Sequence, residues 1–217
     1  MNKRCVIISG GMINEAFAVE VLNEKTAEIV IGVDRGLAFL YKNKVVPTHI
    51  VGDFDSVDSE IISYYKNETS IPIREFNPVK DASDTEIALR LAIELGAQEI
   101  CLLGATGTRL DHVMANIQIL KIAQNAGVQA YIMDPNNRIS LLDGETLLCK
   151  QNAFGPYFSL FPLGGSVEEL SIHGAKYPLI NHTLEPYDSL CVSNQFKDTE
   201  VKITFKNGTI ILMETRD

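Results

Sequence analysis

Along the first 134 residues, short apolar runs stop one after another on glycine or aspartate and give way to helix-like segments. Residues 5–9 end at Gly10-Gly11, 28–33 at Asp34, 49–51 at Gly52-Asp53, and 99–103 at Gly104. Residues 71–73 and 128–133 add two further strand-like runs. The helical segments between them include 35–42 and 57–66, and the clearest begins near Asp84. There Ser83 and Glu86 stand at capping-box spacing, and Ile87, Ala88, Leu91, Ala92 and Leu95 recur with helical period before Gly96 stops the run. A second strong helix covers about 111–126, with Val113, Met114, Ile117 and Leu120 on one stripe. Continuously apolar strands alternating with helices predict an α/β fold, Rossmann-like, with a mostly parallel sheet covered on both faces.

After Asp134-Pro135-Asn136-Asn137 the helical period fades. Strand-like runs at 146–149, 157–161, 167–172 and 189–192 lie among Gly, Pro and Asn. Val201, Ile203 and Phe205 alternate with polar residues, then Asn207-Gly208 leads into 209–213. Asn-Gly suits a two-residue hairpin turn, so these last runs are expected to pair. The expected division is an α/β domain over 1–134 and a small all-β sandwich over 135–217.

Charge and composition narrow the partners. With a formal net charge of −9 over 217 residues, the chain lacks the basic excess of a nucleic-acid binder. No apolar run is long enough to span a bilayer, and the first is too short for a secretory signal. Cys5, Cys101, Cys149 and Cys191 are widely spaced, unlike a zinc or redox motif. Reduced, mostly buried thiols in a cytoplasmic protein are expected.

In parallel sheets, ligands bind beyond the carboxyl ends of the strands. Those ends here carry Gly10-Gly11, Asp34, Gly52 to Ser56, and Gly104-Ala105-Thr106-Gly107. Asp53 and Asp55, two apart on extended chain, would point the same way and repel unless a cation lies between them. Hard carboxylate oxygens suit Mg²⁺; a solvated acidic turn with Asp55 as helix cap is the alternative. Asp81 and Asp84 precede the capped helix, where an aspartate stabilises the dipole or joins a metal set. Lys80 reads equally as a phosphate contact or a solvated side chain. Residues 104–112 open the second helix with glycines that admit close approach, an N-terminus that favours anions, and the planar donor fork of Arg109. His112 reads as a packing or turn-stabilising histidine. Neither a Rossmann glycine fingerprint nor a Walker A sequence is present.

Taken together these residues resemble the thiamine pyrophosphokinase family. Gly52-Asp53-Phe54-Asp55-Ser56 is similar to its signature, and residues 80–86 to its acidic motif. Gly104 to His112 is similar to its glycine–arginine–leucine–aspartate–histidine segment, with Asn116 beyond it. Residues 174–179 and Ser193-Asn194 are similar to its two thiamine-side motifs. The chain departs from the usual pattern at Arg35, at Thr108 and at Cys191, each standing where the family commonly has glycine.

The resemblance implies transfer of pyrophosphate from ATP to the thiamine hydroxyl, with Mg²⁺ held by Asp53, Asp55 and Asp84 and phosphate oxygens held by Arg109. It puts Gly10, Gly11, Asp34, Lys80, Asp81, Gly104 and Thr106 on the ATP side. Asp111 would orient Arg109 or touch thiamine. Tyr177 would lie against the thiamine cation, with Ser193 and Asn194 bonding the aminopyrimidine. A homodimer is also implied, with thiamine between the first domain of one subunit and the second of the other. Alternative readings are a kinase or pyrophosphokinase for another small alcohol, or a non-catalytic nucleotide-sensing module.

Overall fold

The computed structural model describes residues 3–75 and 82–217, and the chain divides into two units, Met1–Pro135 and Asn136–Asp217. The first unit runs β1 (Arg4–Ile8), α1 (Glu15–Glu24), β2 (Ile29–Val33), α2 (Gly36–Lys42), β3 (His49–Gly52), α3 (Ser59–Asn67), β4 (Ile73–Glu75), α4 (Asp84–Glu94), β5 (Glu99–Leu103), α5 (Leu110–Asn125) and β6 (Gln129–Met133). Its strands lie in the order β6-β5-β1-β2-β3-β4, and every pair is parallel.

The apolar runs explain the central position of β1 and β2, which are buried at every residue. Full burial of one aliphatic side chain is worth about 1.5–3 kcal/mol. Val6, Ile8, Leu37, Leu40, Ile50 and Leu103 share one core on the sheet. The helix α1 is absent from the sequence expectation, although its signals exist. Asn14 caps it by accepting the Phe17 N–H at 3.1 Å, and Ala18 and Val21 form its buried stripe.

At the amino ends of the strands, Arg4 is buried and donates to the carbonyl of Lys25 at 2.7 Å. The Tyr131 hydroxyl donates to Glu99 at 2.6 Å beside it. The Arg4 guanidinium also lies 3.5 Å from the Glu99 carboxylate as an ion pair, at the edge away from the carboxyl ends.

The second unit holds β7 (Asn137–Leu142), β8 (Thr146–Cys149), β9 (Tyr157–Pro162), β10 (Val167–His173), β11 (Leu179–Leu184), β12 (Asn194–Gln195), β13 (Glu200–Thr204) and β14 (Ile210–Thr215). They form two antiparallel groups, β12-β9-β14-β7 and β11-β10-β13-β8. Phe158, Leu160, Ile210 and Leu212 from the first meet Leu170, Ile172, Val201 and Ile203 from the second in one core.

Two local expectations are corrected. The runs flanking Asn207-Gly208 do not form a hairpin: β13 pairs with β10 and β8, and β14 pairs with β7 and β9. The turn is a corner between sheets. Its backbone bonds instead to Glu168, whose N–H donates to the Asn207 carbonyl at 3.3 Å and whose carbonyl accepts from Lys206 at 3.0 Å. Alternation specifies an inward face on each strand, and both inward faces are used, but on opposite layers. Residues 189–192 form a turn, not a strand, because Cys191 alone of the four is buried.

Candidate functional site

Because all strands of the first unit are parallel, the segments after β1, β2, β3 and β5 emerge at one edge. Two of them are zipped together. Ser9 N–H donates to Leu103 O, Gly11 N–H to Gly104 O and Met12 N–H to Thr106 O, each at 2.8 Å. A Cβ at Gly11 would stand 2.4 Å from Gly104 O and 2.5 Å from Thr106 O, so only glycine admits this approach. Gly104 has φ +65°, the left-handed region that glycine enters without steric cost.

Two side chains fix this loop pair. The buried Asn116 donates from Nδ2 to the Ala105 carbonyl at 2.7 Å, tying the glycine loop to α5. The buried Ser9 hydroxyl lies 2.9 Å from that of Thr85, tying the end of β1 to the first turn of α4. Ser9 and Thr85 were not among the residues expected from the sequence; the available signal was a polar residue closing the apolar run 5–8.

Asp34 follows β2 with φ +44°. Its carboxylate lies against Gly52, where a Cβ would come within 2.2 Å of Oδ1. The glycine at the end of β3 thus makes room for the acid at the end of β2. Beyond it, Phe54 takes φ +62° and is buried. The Asp53–Asp55 segment is therefore a turn and not the extended chain expected from the sequence. Asp53 Oδ1 accepts the Asp55 N–H at 3.2 Å, and Asp55 is exposed. The cap of α3 is Asp58, which accepts the Glu60 N–H at 2.9 Å.

Asp84 is the first residue of α4 and half-buried. Ser83 caps the helix through the Glu86 N–H at 3.2 Å. The other half of the expected capping box is replaced, since the Glu86 carboxylate binds Arg90 at 2.8 Å. Lys80 and Asp81 lie outside the described residues. Among the described residues no three His, Cys, Asp or Glu side chains are gathered tightly enough to hold a metal by themselves. The donor chemistry of Asp53, Asp55 and Asp84 nonetheless suits Mg²⁺, which takes few protein carboxylates and completes its shell with water and phosphate oxygens.

Arg109 precedes α5 and is exposed. Asp111 grips it with two bonds, Nη2 to Oδ2 at 2.7 Å and Nε to Oδ1 at 3.3 Å. The Arg109 guanidinium and the His112 N–H hold the Asp111 carboxyl down to about 2. Arg109 therefore faces solvent with a fixed orientation and donors left over, since a guanidinium has five.

In the second unit, Tyr177 is 58% exposed, with the Lys176 ammonium 5.4 Å from its ring centre. Ser193 is exposed at φ +57°, and its N–H donates to the Ser159 hydroxyl at 2.9 Å. Asn194 is buried at 3% exposure and bonds the backbone of Tyr177. A cavity of about 550 Å³ opens on this unit between Lys150, Tyr157, Gln195 and Phe196.

The family model for the thiamin pyrophosphokinase catalytic domain matches residues 22–132, and that for the thiamin pyrophosphokinase vitamin B1 binding domain matches 145–210. Thiamine pyrophosphokinase of Bacillus subtilis is 29% identical over 188 residues, covering 86% of this chain and 87% of that one. The crystal structure of thiamine pyrophosphokinase from Bacillus subtilis superposes with a TM-score of 0.87 at 28% identity, over 99% of this chain and 100% of the other. That of thiamin pyrophosphokinase from Geobacillus thermodenitrificans gives 0.85 at 28% identity, over 99% and 98%.

Proposed function

We infer that this chain, which belongs to the thiamine pyrophosphokinase family, is itself a thiamine pyrophosphokinase. It moves the pyrophosphoryl group of ATP onto the hydroxyl of thiamine, giving thiamine diphosphate and AMP. The observation that carries this reading is the match of both family models, in order, across the two units. The first unit is then the catalytic, nucleotide-binding domain and the second the thiamine-binding domain.

The thiamine oxygen forms a bond to the β-phosphorus of ATP and gives up its hydroxyl proton to solvent, while the bond from that phosphorus to the bridging oxygen of AMP breaks and AMP leaves. Transfers of this type depend on positioning and on stabilising charge as it shifts between oxygens. Arg109, held by Asp111, offers a preoriented donor fork to phosphate oxygens, at little reorganisation cost in the transition state. Gly10, Gly11, Gly104 and Thr106, on the two zipped loops, are assigned to the ATP side from the family motif. Asp34 stands beside them, and Lys80 and Asp81 are assigned to the same ATP side from the family motif.

Asp53, Asp55 and Asp84 would hold Mg²⁺, directly or through water. When bound, the ion supplies charge neutralisation for the phosphate oxygens and restrains their orientation.

The family resemblance assigns thiamine to Tyr177, Ser193 and Asn194. A cation over an aromatic face gains about 0.5–2 kcal/mol, and the exposed Tyr177 ring offers such a face. The family resemblance supports a homodimer with thiamine between the α/β unit of one subunit and the β unit of the other. No helix among the described residues is long and apolar enough to cross a membrane.

The test is incubation with ATP, Mg²⁺ and thiamine, followed by separation of products. Thiamine-dependent release of AMP with thiamine diphosphate is expected. Release of ADP with thiamine monophosphate, or no thiamine dependence, would overturn the assignment.

A further inference from the structure

Asn194 opens β12, yet its side chain is turned away from solvent, with only 3% of the residue exposed. Its amide is occupied on both sides. Oδ1 accepts the N–H of Tyr177 at 3.0 Å and that of Gln195 at 2.9 Å. Nδ2 donates to the carbonyl of Tyr177 at 2.8 Å. The two bonds to Tyr177 satisfy both backbone groups of that one residue. Only this orientation of the amide presents oxygen to both N–H groups and nitrogen to the carbonyl.

The backbone explains why a side chain is needed there. Residues 175–177 lie along 194–196: Ala175 bridges Phe196, and Lys176 N–H donates to the Gln195 carbonyl at 2.8 Å. In that antiparallel register Tyr177 stands opposite Asn194 itself, whose backbone pairs with Phe158 on its other side. The chain has already turned away, with Ser193 at φ +57° and its N–H directed to Ser159. The Asn194 amide supplies the bonds to both backbone groups of Tyr177, and Pro178 restricts Tyr177 to extended conformations. The outcome is a fixed backbone carrying an exposed aromatic ring.

We propose that Asn194 is a positioning residue that holds the backbone of Tyr177, and that it makes no contact with thiamine of its own. This replaces the role that family resemblance gives to Asn194. It rests on the assignment of Tyr177 to the thiamine side. Ser193, exposed at the same turn, keeps its direct assignment.

The experiment is a double-mutant cycle on the full chain, reading thiamine and ATP affinities by titration for wild type, Asn194→Ala, Tyr177→Ala and the double variant. If Asn194 acts through Tyr177, each single variant weakens thiamine binding by about tenfold or more, ATP affinity stays within about twofold, and the double variant is no weaker than Tyr177→Ala. A double variant weakened by the product of the two single effects would overturn the proposal, as would wild-type thiamine affinity in Asn194→Ala. Amide hydrogen exchange gives a readout that needs no ligand: the Tyr177 N–H should exchange at least about tenfold faster in Asn194→Ala, and unchanged protection would also overturn the proposal. If Asn194→Ala does not fold, Asn194→Asp replaces it, keeping the acceptor and removing the donor to the Tyr177 carbonyl. Absence of thiamine binding by the wild type would instead strike the family-based assignment, and the exchange measurement would still decide the role of Asn194.

Discussion

At position 54 a phenylalanine holds φ +62°, a region costly by about 1–2 kcal/mol for a residue with a Cβ. Burial of its ring outweighs that cost, and the turn it makes leaves Asp55 at the surface. Asp55→Asn should therefore leave the thermal unfolding midpoint near wild type while lowering turnover by about a hundredfold or more, because the removed charge serves phosphate and metal rather than packing. Steady-state kinetics beside a thermal melt checks both halves. The identities of Asp53 and Asp55 were legible in the sequence; the turn between them was not, since an apolar residue at 54 fits an extended run equally well. Asp111 titrates far below neutrality, its ordinary acidity increased by Arg109 and by the His112 N–H. A depressed carboxyl keeps its ion pair above the unfolded-state value and loses it only as pH falls through the folded one, here about 2. Between about pH 5 and 9, Asp111→Asn should then lower kcat/KM at every pH without changing the shape of the profile. A limb that appears or vanishes in that range would contradict the fixed ion pair.

At the scale of elements, the edge is assembled by small polar links between secondary structures. Thr85→Val keeps the shape of the side chain but leaves the buried Ser9 hydroxyl without its partner on α4. A buried hydroxyl left unpaired costs about 1–3 kcal/mol, so the variant should unfold at lower denaturant and show reduced kcat/KM, with Thr85→Ser restoring most of both. Ser83 was readable as the cap of α4 because capping is local and depends on spacing. The Ser9–Thr85 link joins positions 76 residues apart, and no local pattern reports it. The same limit accounts for the turn at Asn207-Gly208. Its sequence defines a reversal of chain direction, whereas the choice between a hairpin and a corner is made by which layer buries Ile203 and which buries Ile210.

For the whole molecule, the change from helical to strand texture near residue 134 was visible in periodicity, and the structure separates two units there. If the family assembly holds, sedimentation equilibrium should give twice the 24.0 kDa of one chain, and a single-chain mass at assay concentration would remove the shared-site arrangement. Burial also sorts the four thiols. It pushes Cys5 and Cys101 up to about 12 and Cys191 up to about 11, so their thiolates are scarce near neutrality. Native alkylation followed by peptide mass analysis should label the half-buried Cys149 well before the other three. The reaction itself is tested most directly by following label from ATP marked separately at the α, β and γ phosphorus, in the presence of Mg²⁺ and thiamine. Attack at the β position sends both β and γ label into the thiamine product and leaves α label in AMP. Label from the γ position alone in the thiamine product would mean that a single phosphoryl group moves, and the chain would not be the enzyme inferred from its two units.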